Sequence, residues 1–130
     1  CKMNHADITA SLTSDGCIIT DSMVTKSVIG VRSIIEAGTI LKGAIIMGAD
    51  YYESPEEKES NRKAGLPNIG IGKHCHIEKT IIDKNARIGE NCQINVSGKK
   101  YEDGDHGTFY SADGIIVIRK NAVIPAGTII

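Results

Sequence analysis

The sequence predicts an all-β chain wound as a parallel β-helix of hexapeptide repeats, interrupted by one short helical excursion and one long loop. Three observations lead there. Aliphatic residues recur every five or six positions in three runs: Met23, Ile29, Ile35, Leu41 and Ile46; Ile71, Ile77, Ile82, Ile88 and Ile94; Ile118, Ile124 and Ile130. Small side chains stand two positions before several of these markers, at Cys75, Ala86, Cys92 and Ala122. Aromatic residues are scarce, with one Phe, four Tyr and no Trp in 130 residues. A period of six fits neither an amphipathic helix nor a simple hairpin. It fits coils of three short strands, about 18 residues per coil, stacked about 4.8 Å apart. Residues i and i−2 of a strand face the same way, so marker and small partner point together into a narrow prism. Trp or Phe would not fit there, which accounts for their shortage.

Taken in order, the run from Met23 to Ile46 forms the first coils. Tyr51 to Pro67, "YYESPEEKESNRKAGLP", leaves the repeat. Ser54-Pro55-Glu56-Glu57 is a capping box with Pro at the first helical position, and Gly65 with Pro67 supplies the stop. A short solvated helix is therefore expected over Pro55 to Ala64, dispensable for the coil. The repeat resumes from Ile71 to Ile94. Cys75 and Cys92 lie 17 residues apart, one coil, and should stack. Their spacing is compatible with a disulfide, but parallel Cβ vectors disfavour one, so they read as packed core thiols. Ser97 to Gly114 is rich in Gly and Asp and has no period, so it reads as an excursion loop. The last coil runs to Ile130.

The length suits one domain, residues 1–130. A formal net charge of −1 argues against nucleic-acid or membrane-surface binding. No apolar run approaches the roughly 20 residues of a membrane span, and no signal peptide is visible. Four Cys without a Cys-x-x-Cys pair point to a reducing compartment. A start at Cys1 rather than Met suggests processing, or a piece of something larger.

Several residues compete for a functional role. In "KHCHIE", His74 and His76 share the outward face opposite Cys75 and Ile77; no third ligand stands nearby, so a solvated pair is the simpler reading than a metal. His106, with Asp103 and Asp105, has the composition of a general base, set against a flexible Gly/Asp loop. Lys84 and Lys120 are different. Each sits two residues after a marker Ile in the same pattern, Ile-x-Lys-Asn-Ala-x-Ile, which places it at an outward corner. Lys73 has the same phase. Turns favour polar residues anyway, but Arg87 and Arg119 add charge around Lys84 and Lys120, while Asp83 lowers the net field. Stacked cations would attract a small phosphate ester, because neighbouring like charges are costly until an anion bridges them.

The ordering "SVIGVRSIIEAGTILKGAIIMGADYYES", "NIGIGKHCHIEKTIIDKNARIGENCQI" and "GIIVIRKNAVIPAGTII" resembles the C-terminal left-handed β-helix domain of ADP-glucose pyrophosphorylase (glucose-1-phosphate adenylyltransferase), most closely the plant and cyanobacterial type. The resemblance covers about Ala6 to Ile130. It implies a parent enzyme that makes ADP-glucose and pyrophosphate from ATP and glucose 1-phosphate with Mg²⁺, a regulated step of starch and glycogen synthesis. Catalysis, ATP and Mg²⁺ would belong to an N-terminal nucleotidyltransferase domain, and this part alone would be non-catalytic and without a cofactor. The implied partners are that domain, homologous subunits of a tetramer, and a phosphate-ester effector such as 3-phosphoglycerate or phosphate. The family's activator lysines fall on Lys84 and Lys120, flanked by Asp83, Arg87 and Arg119. The implied compartment is a plant plastid or a bacterial cytoplasm. Two other readings stay open: a hexapeptide acyltransferase, for which His106 is the available histidine, and a purely structural oligomerisation prism.

Overall fold

The computed structural model describes residues 2–130. In chain order its elements are β1 (Lys2–Asn4), β2 (Asp7–Thr9), β3 (Leu12–Thr13), β4 (Ile18–Thr20), β5 (Met23–Thr25), β6 (Val28–Ile29), β7 (Ile34–Ile35), β8 (Ile40–Lys42), β9 (Ile45–Ile46), α1 (Pro55–Ala64), β10 (Gly70–Ile71), β11 (His76–Glu78), β12 (Thr80–Ile82), β13 (Arg87–Ile88), β14 (Gln93–Ile94), β15 (Gly104–Asp105), β16 (Phe109–Ala112), β17 (Ile115–Ile118) and β18 (Val123–Ile124). Each coil delivers one strand to each side of a three-sided prism. Sheet A stacks β1, β4, β7, β10, β13 and β18; sheet B stacks β2, β5, β8, β11 and β14; sheet C begins β3, β6, β9, β12 and β17.

The pairing is in register, so like sits on like. Ile19, Ile35, Ile71, Ile88 and Ile124 form one inward column. Val24, Leu41, Ile77 and Ile94 form the second, and Ile29, Ile46, Ile82 and Ile118 the third. These residues are buried and make the core. The marker of the first run is Val24, not Met23, which lies outward and 45% exposed. The two neighbours are both apolar, and periodicity alone does not choose between them. From Val24 onward, and apart from the two steps that carry the excursions, each step from sheet B to sheet C is five residues and the others are six, giving a coil of 17 rather than 18.

The sides meet at corners that turn through a left-handed residue. Lys26, Arg32, His74, Lys79, Asn85, Asn91 and Asn121 have φ between 46° and 61°. That region is sterically costly for L-residues, and Asn tolerates it best. The repeated Lys-Asn-Ala is thereby explained. Asn85 and Asn121 make the turn, Ala86 and Ala122 tuck beneath it, and Lys84 and Lys120 project outward. Ala86 is buried; Ala122, in the last coil, is only partly so. Cys75 and Cys92 are buried free thiols. Each donates to a carbonyl of the next coil, Gly89 at 3.1 Å and Pro125 at 3.2 Å.

Helix α1 has the predicted bounds and caps. The Glu57 N–H donates to Ser54 Oγ, the Ser54 N–H donates to the Glu57 carboxylate, and Gly65 closes the helix at φ 71°. It is exposed except for Asn61. The excursion is nonetheless tied down at its base, because Asn61 and Arg87 converge on a buried Glu53. The 97–114 segment departs from its reading as a loop. β15 and β16 form an antiparallel hairpin that continues sheet C beyond β17. Its period-two signal spans only Phe109-Tyr110-Ser111, too short to register in the sequence. Phe109 is accommodated because it packs at the open end of the prism. The hairpin also covers the free edge of β17, where another parallel strand would otherwise pair.

Sheet C presents an outward apolar column, Leu12, Val28, Ile45, Ile81, Val117 and Tyr110. At strand spacing it is about 24 Å long, and Leu12 within it is 70% exposed. The matching columns on the other sheets are broken by Lys2 and Arg87 on sheet A and by Asp7, His76 and Gln93 on sheet B.

Candidate functional site

The edge between sheets C and A carries the two sequence-predicted lysines. Ile82 and Ile118 pair in register, and the residues after them turn together. The Asn121 N–H donates to the Lys84 carbonyl at 3.0 Å, and the Asn85 N–H to the Gly48 carbonyl at 3.1 Å. Lys84 and Lys120 therefore occupy the same corner of adjacent coils. Lower on this edge, the Ala49 N–H donates to Val31 O and the Arg32 N–H to Asp15 O. Lys73 shares the phase of the repeat but not the corner. It stands between sheets A and B, stacked beneath Glu90 through the Asn91 N–H, and lines an open groove beside α1. A hexapeptide pattern cannot make this distinction, since a three-sided coil sends successive corners in three directions.

The other predicted residues are engaged elsewhere. Arg87 points from β13 to the base of the excursion, with Nη1 donating to Glu53 Oε2 at 3.0 Å and to Pro67 O at 2.9 Å. Arg119 pairs with Asp105 of the hairpin at 2.7 Å. Asp83 turns back to accept the Lys84 N–H at 2.6 Å, so it braces the corner rather than facing the ammonium.

Asp50 is the member that sequence reasoning missed. It follows Ala49 where the chain leaves the coil, beside the corner above. Lys84 Nζ donates to Asp50 Oδ1 at 3.2 Å, Asn85 Nδ2 donates to Oδ2 at 3.0 Å, and the Asp50 N–H donates to Asn85 Oδ1 at 3.0 Å. The Asn85 amide and the Lys84 ammonium hold this carboxyl below its usual range, and Lys120 adds to the effect. The available signal was positional: the "MGADYYE" stretch begins where the repeat stops. Glu53, three residues on, anchors the same segment. Burial opposes its ionisation, yet the Ile69 N–H, the Asn61 amide and Arg87 outweigh that and hold its carboxyl below the usual range.

The histidines form no such arrangement. His106 stacks on Phe109 at 5.1 Å, and its Nε2 lies 2.7 Å from the Glu102 carbonyl. His74 is exposed at its corner, and His76 Nε2 lies 2.8 Å from Glu78. Among the described residues no three His, Cys, Asp or Glu side chains group as metal ligands. Among the described residues no helix is long and apolar enough to cross a membrane.

The fold is a three-sided parallel β-helix that carries two lysines on one corner of adjacent coils. Residues 1–129 match the GLGC left-handed parallel beta-helix domain, and the chain belongs to that family. It is 42% identical over 131 residues to a glucose-1-phosphate adenylyltransferase small subunit, chloroplastic/amyloplastic, of Triticum aestivum. The match covers 99% of this chain and 28% of that protein, so the chain spans little more than a quarter of its relative's length. Both findings agree with the resemblance read from "MGADYYE" and "IIDKNARIG".

Proposed function

We propose that this chain is the regulatory and assembly part of a glucose-1-phosphate adenylyltransferase, in which ATP, Mg²⁺ and glucose 1-phosphate are handled by a preceding nucleotidyltransferase domain. The name of the wheat relative and the family membership support the enzyme class. The regulatory role rests on one observation: Lys84 and Lys120 share one corner of adjacent coils. Two lysines whose backbones stack about one strand spacing apart suit a phosphate or a phosphate monoester such as 3-phosphoglycerate, whose oxygens can accept from both. Charge-assisted contacts of this kind contribute about 1.5–3 kcal/mol each. The assembly role is supported by the bare apolar column of sheet C, which suits contact with a homologous subunit within a tetramer. The compartment that follows is a plastid or a bacterial cytoplasm.

The test uses the intact protein that carries this domain. Lys120→Ala should raise the 3-phosphoglycerate concentration needed for half-activation about ten-fold or more. Lys120→Arg should restore only part, since a planar fork does not replace a point charge. Lys73→Ala, on another corner, is the control. An equal shift from Lys73→Ala would mean a diffuse basic surface and would remove the site.

A further inference from the structure

We infer that Asp50 is a built-in counter-anion of the Lys84–Lys120 edge, occupying the place of an incoming anion and admitting phosphate dianions or phosphate monoesters by exchange while turning away singly charged anions. This rests on reading that edge as an anion site. The geometry carries it. One carboxylate oxygen lies 3.2 Å from Lys84 Nζ, so Lys84 already carries a counter-charge, supplied from the coil below, that an anion bridging to Lys120 must displace. The other is held by the Asn85 side chain, and the Asp50 N–H is returned to that same side chain. Asn85 is itself the left-handed corner residue, at φ 61°, so the carboxylate is clipped to the turn that projects Lys84. The pair is half-exposed, 40% for Lys84 and 46% for Asp50. Exposed ion pairs are weak and exchangeable, and Lys120 has no acid paired with it among the described residues. A dianion gains from both lysines at once and can displace a single carboxylate. A monoanion has no such advantage over Asp50.

Asp50 has two separable features, charge and clip. Asp50→Asn removes the charge but keeps a side-chain oxygen able to accept from Asn85 Nδ2. Asp50→Ala removes both. The experiment titrates this chain with inorganic phosphate at pH 8 and with nitrate, at fixed ionic strength, following the backbone amide resonances of Asn85 and Asn121. Asp50→Asn should bind phosphate about three- to five-fold more tightly than the wild type, the factor a surface ion pair is worth. It should also narrow the preference for phosphate over nitrate, with an unchanged melting temperature. If Lys84→Ala and Lys120→Ala weaken phosphate binding while Asp50→Asn leaves it unchanged or weaker, the counter-anion is refuted and the anion site stands. If neither lysine variant alters phosphate binding, both ideas fall, and saturation of neither wild type nor Asp50→Asn by phosphate has the same meaning.

Discussion

Glu53 offers the sharpest test of how the excursion is held. Its side chain is 2% exposed and its partner Arg87 is 18% exposed. The carboxylate accepts from Arg87 at 3.0 Å, from the Ile69 N–H at 2.6 Å and from Asn61. Glu53→Ala strands the Ile69 N–H and takes the carboxylate from Arg87, while Asn61 Nδ2 keeps its bond to Asn68 Oδ1 at 3.1 Å. Removing one member of a buried ion pair costs about 3–5 kcal/mol, and an orphaned buried N–H costs about 1–3 kcal/mol, though such terms do not add. Arg87 keeps its bond to Pro67 O, which limits the loss, so a net cost of about 3–4 kcal/mol is expected. Against a typical domain stability of about 5–15 kcal/mol this is large. It corresponds to a fall in melting temperature of about 10–15 °C for a domain of this size. Thermal melts followed by far-ultraviolet circular dichroism would measure it. The pH dependence gives a second reading. The folded carboxyl is held below its ordinary value of 4.5. The unfolded chain therefore binds the proton first as pH falls. The stabilisation is fully present above pH 4.5 and is lost as pH drops through the folded value, so Glu53→Ala should flatten that acid limb. A melting shift below about 3 °C, with an unchanged acid limb, would show that the network is solvent-screened and that the excursion is not anchored there.

Four further outcomes follow from the same geometry. Ala86→Leu should overpack the prism beneath its corner and cost about 1–3 kcal/mol in a denaturant titration; an unchanged midpoint would contradict the inward phase. Asn121→Ala, at φ 60°, should cost about 1 kcal/mol while Asn121→Gly costs less, because only the former puts an unsuited Cβ into the left-handed region. Ser54→Ala should cost about 1 kcal/mol, seen as faster amide exchange confined to α1. Ile45→Glu, in the middle of the sheet C column, should lower the association state measured by analytical ultracentrifugation without lowering the melting temperature of the dissociated chain, and unchanged mass would free that face of an assembly role.

The sequence alone determined the three-sided coil, because an inward aliphatic every five or six residues is the pattern that a stacked prism imposes on every side. It determined α1 as well, since Ser54, Glu57 and Gly65 act within a few residues of one another. It also placed Lys84 and Lys120 in one phase, for the Lys-Asn-Ala turn is local. Tertiary structure decided what depends on contacts between coils. Which of Met23 and Val24 faces inward depends on the five-residue side between sheets B and C, and two adjacent apolar residues carry no such information. That Lys73 belongs to another corner follows from three-fold winding, which a six-residue count does not resolve. The partners of Arg87, Arg119 and Lys84 lie on an excursion or hairpin reached across 34, 14 and 34 residues. No period links those segments to the coil, so only the folded chain reveals that two predicted cations are occupied and that Asp50 lies against a third.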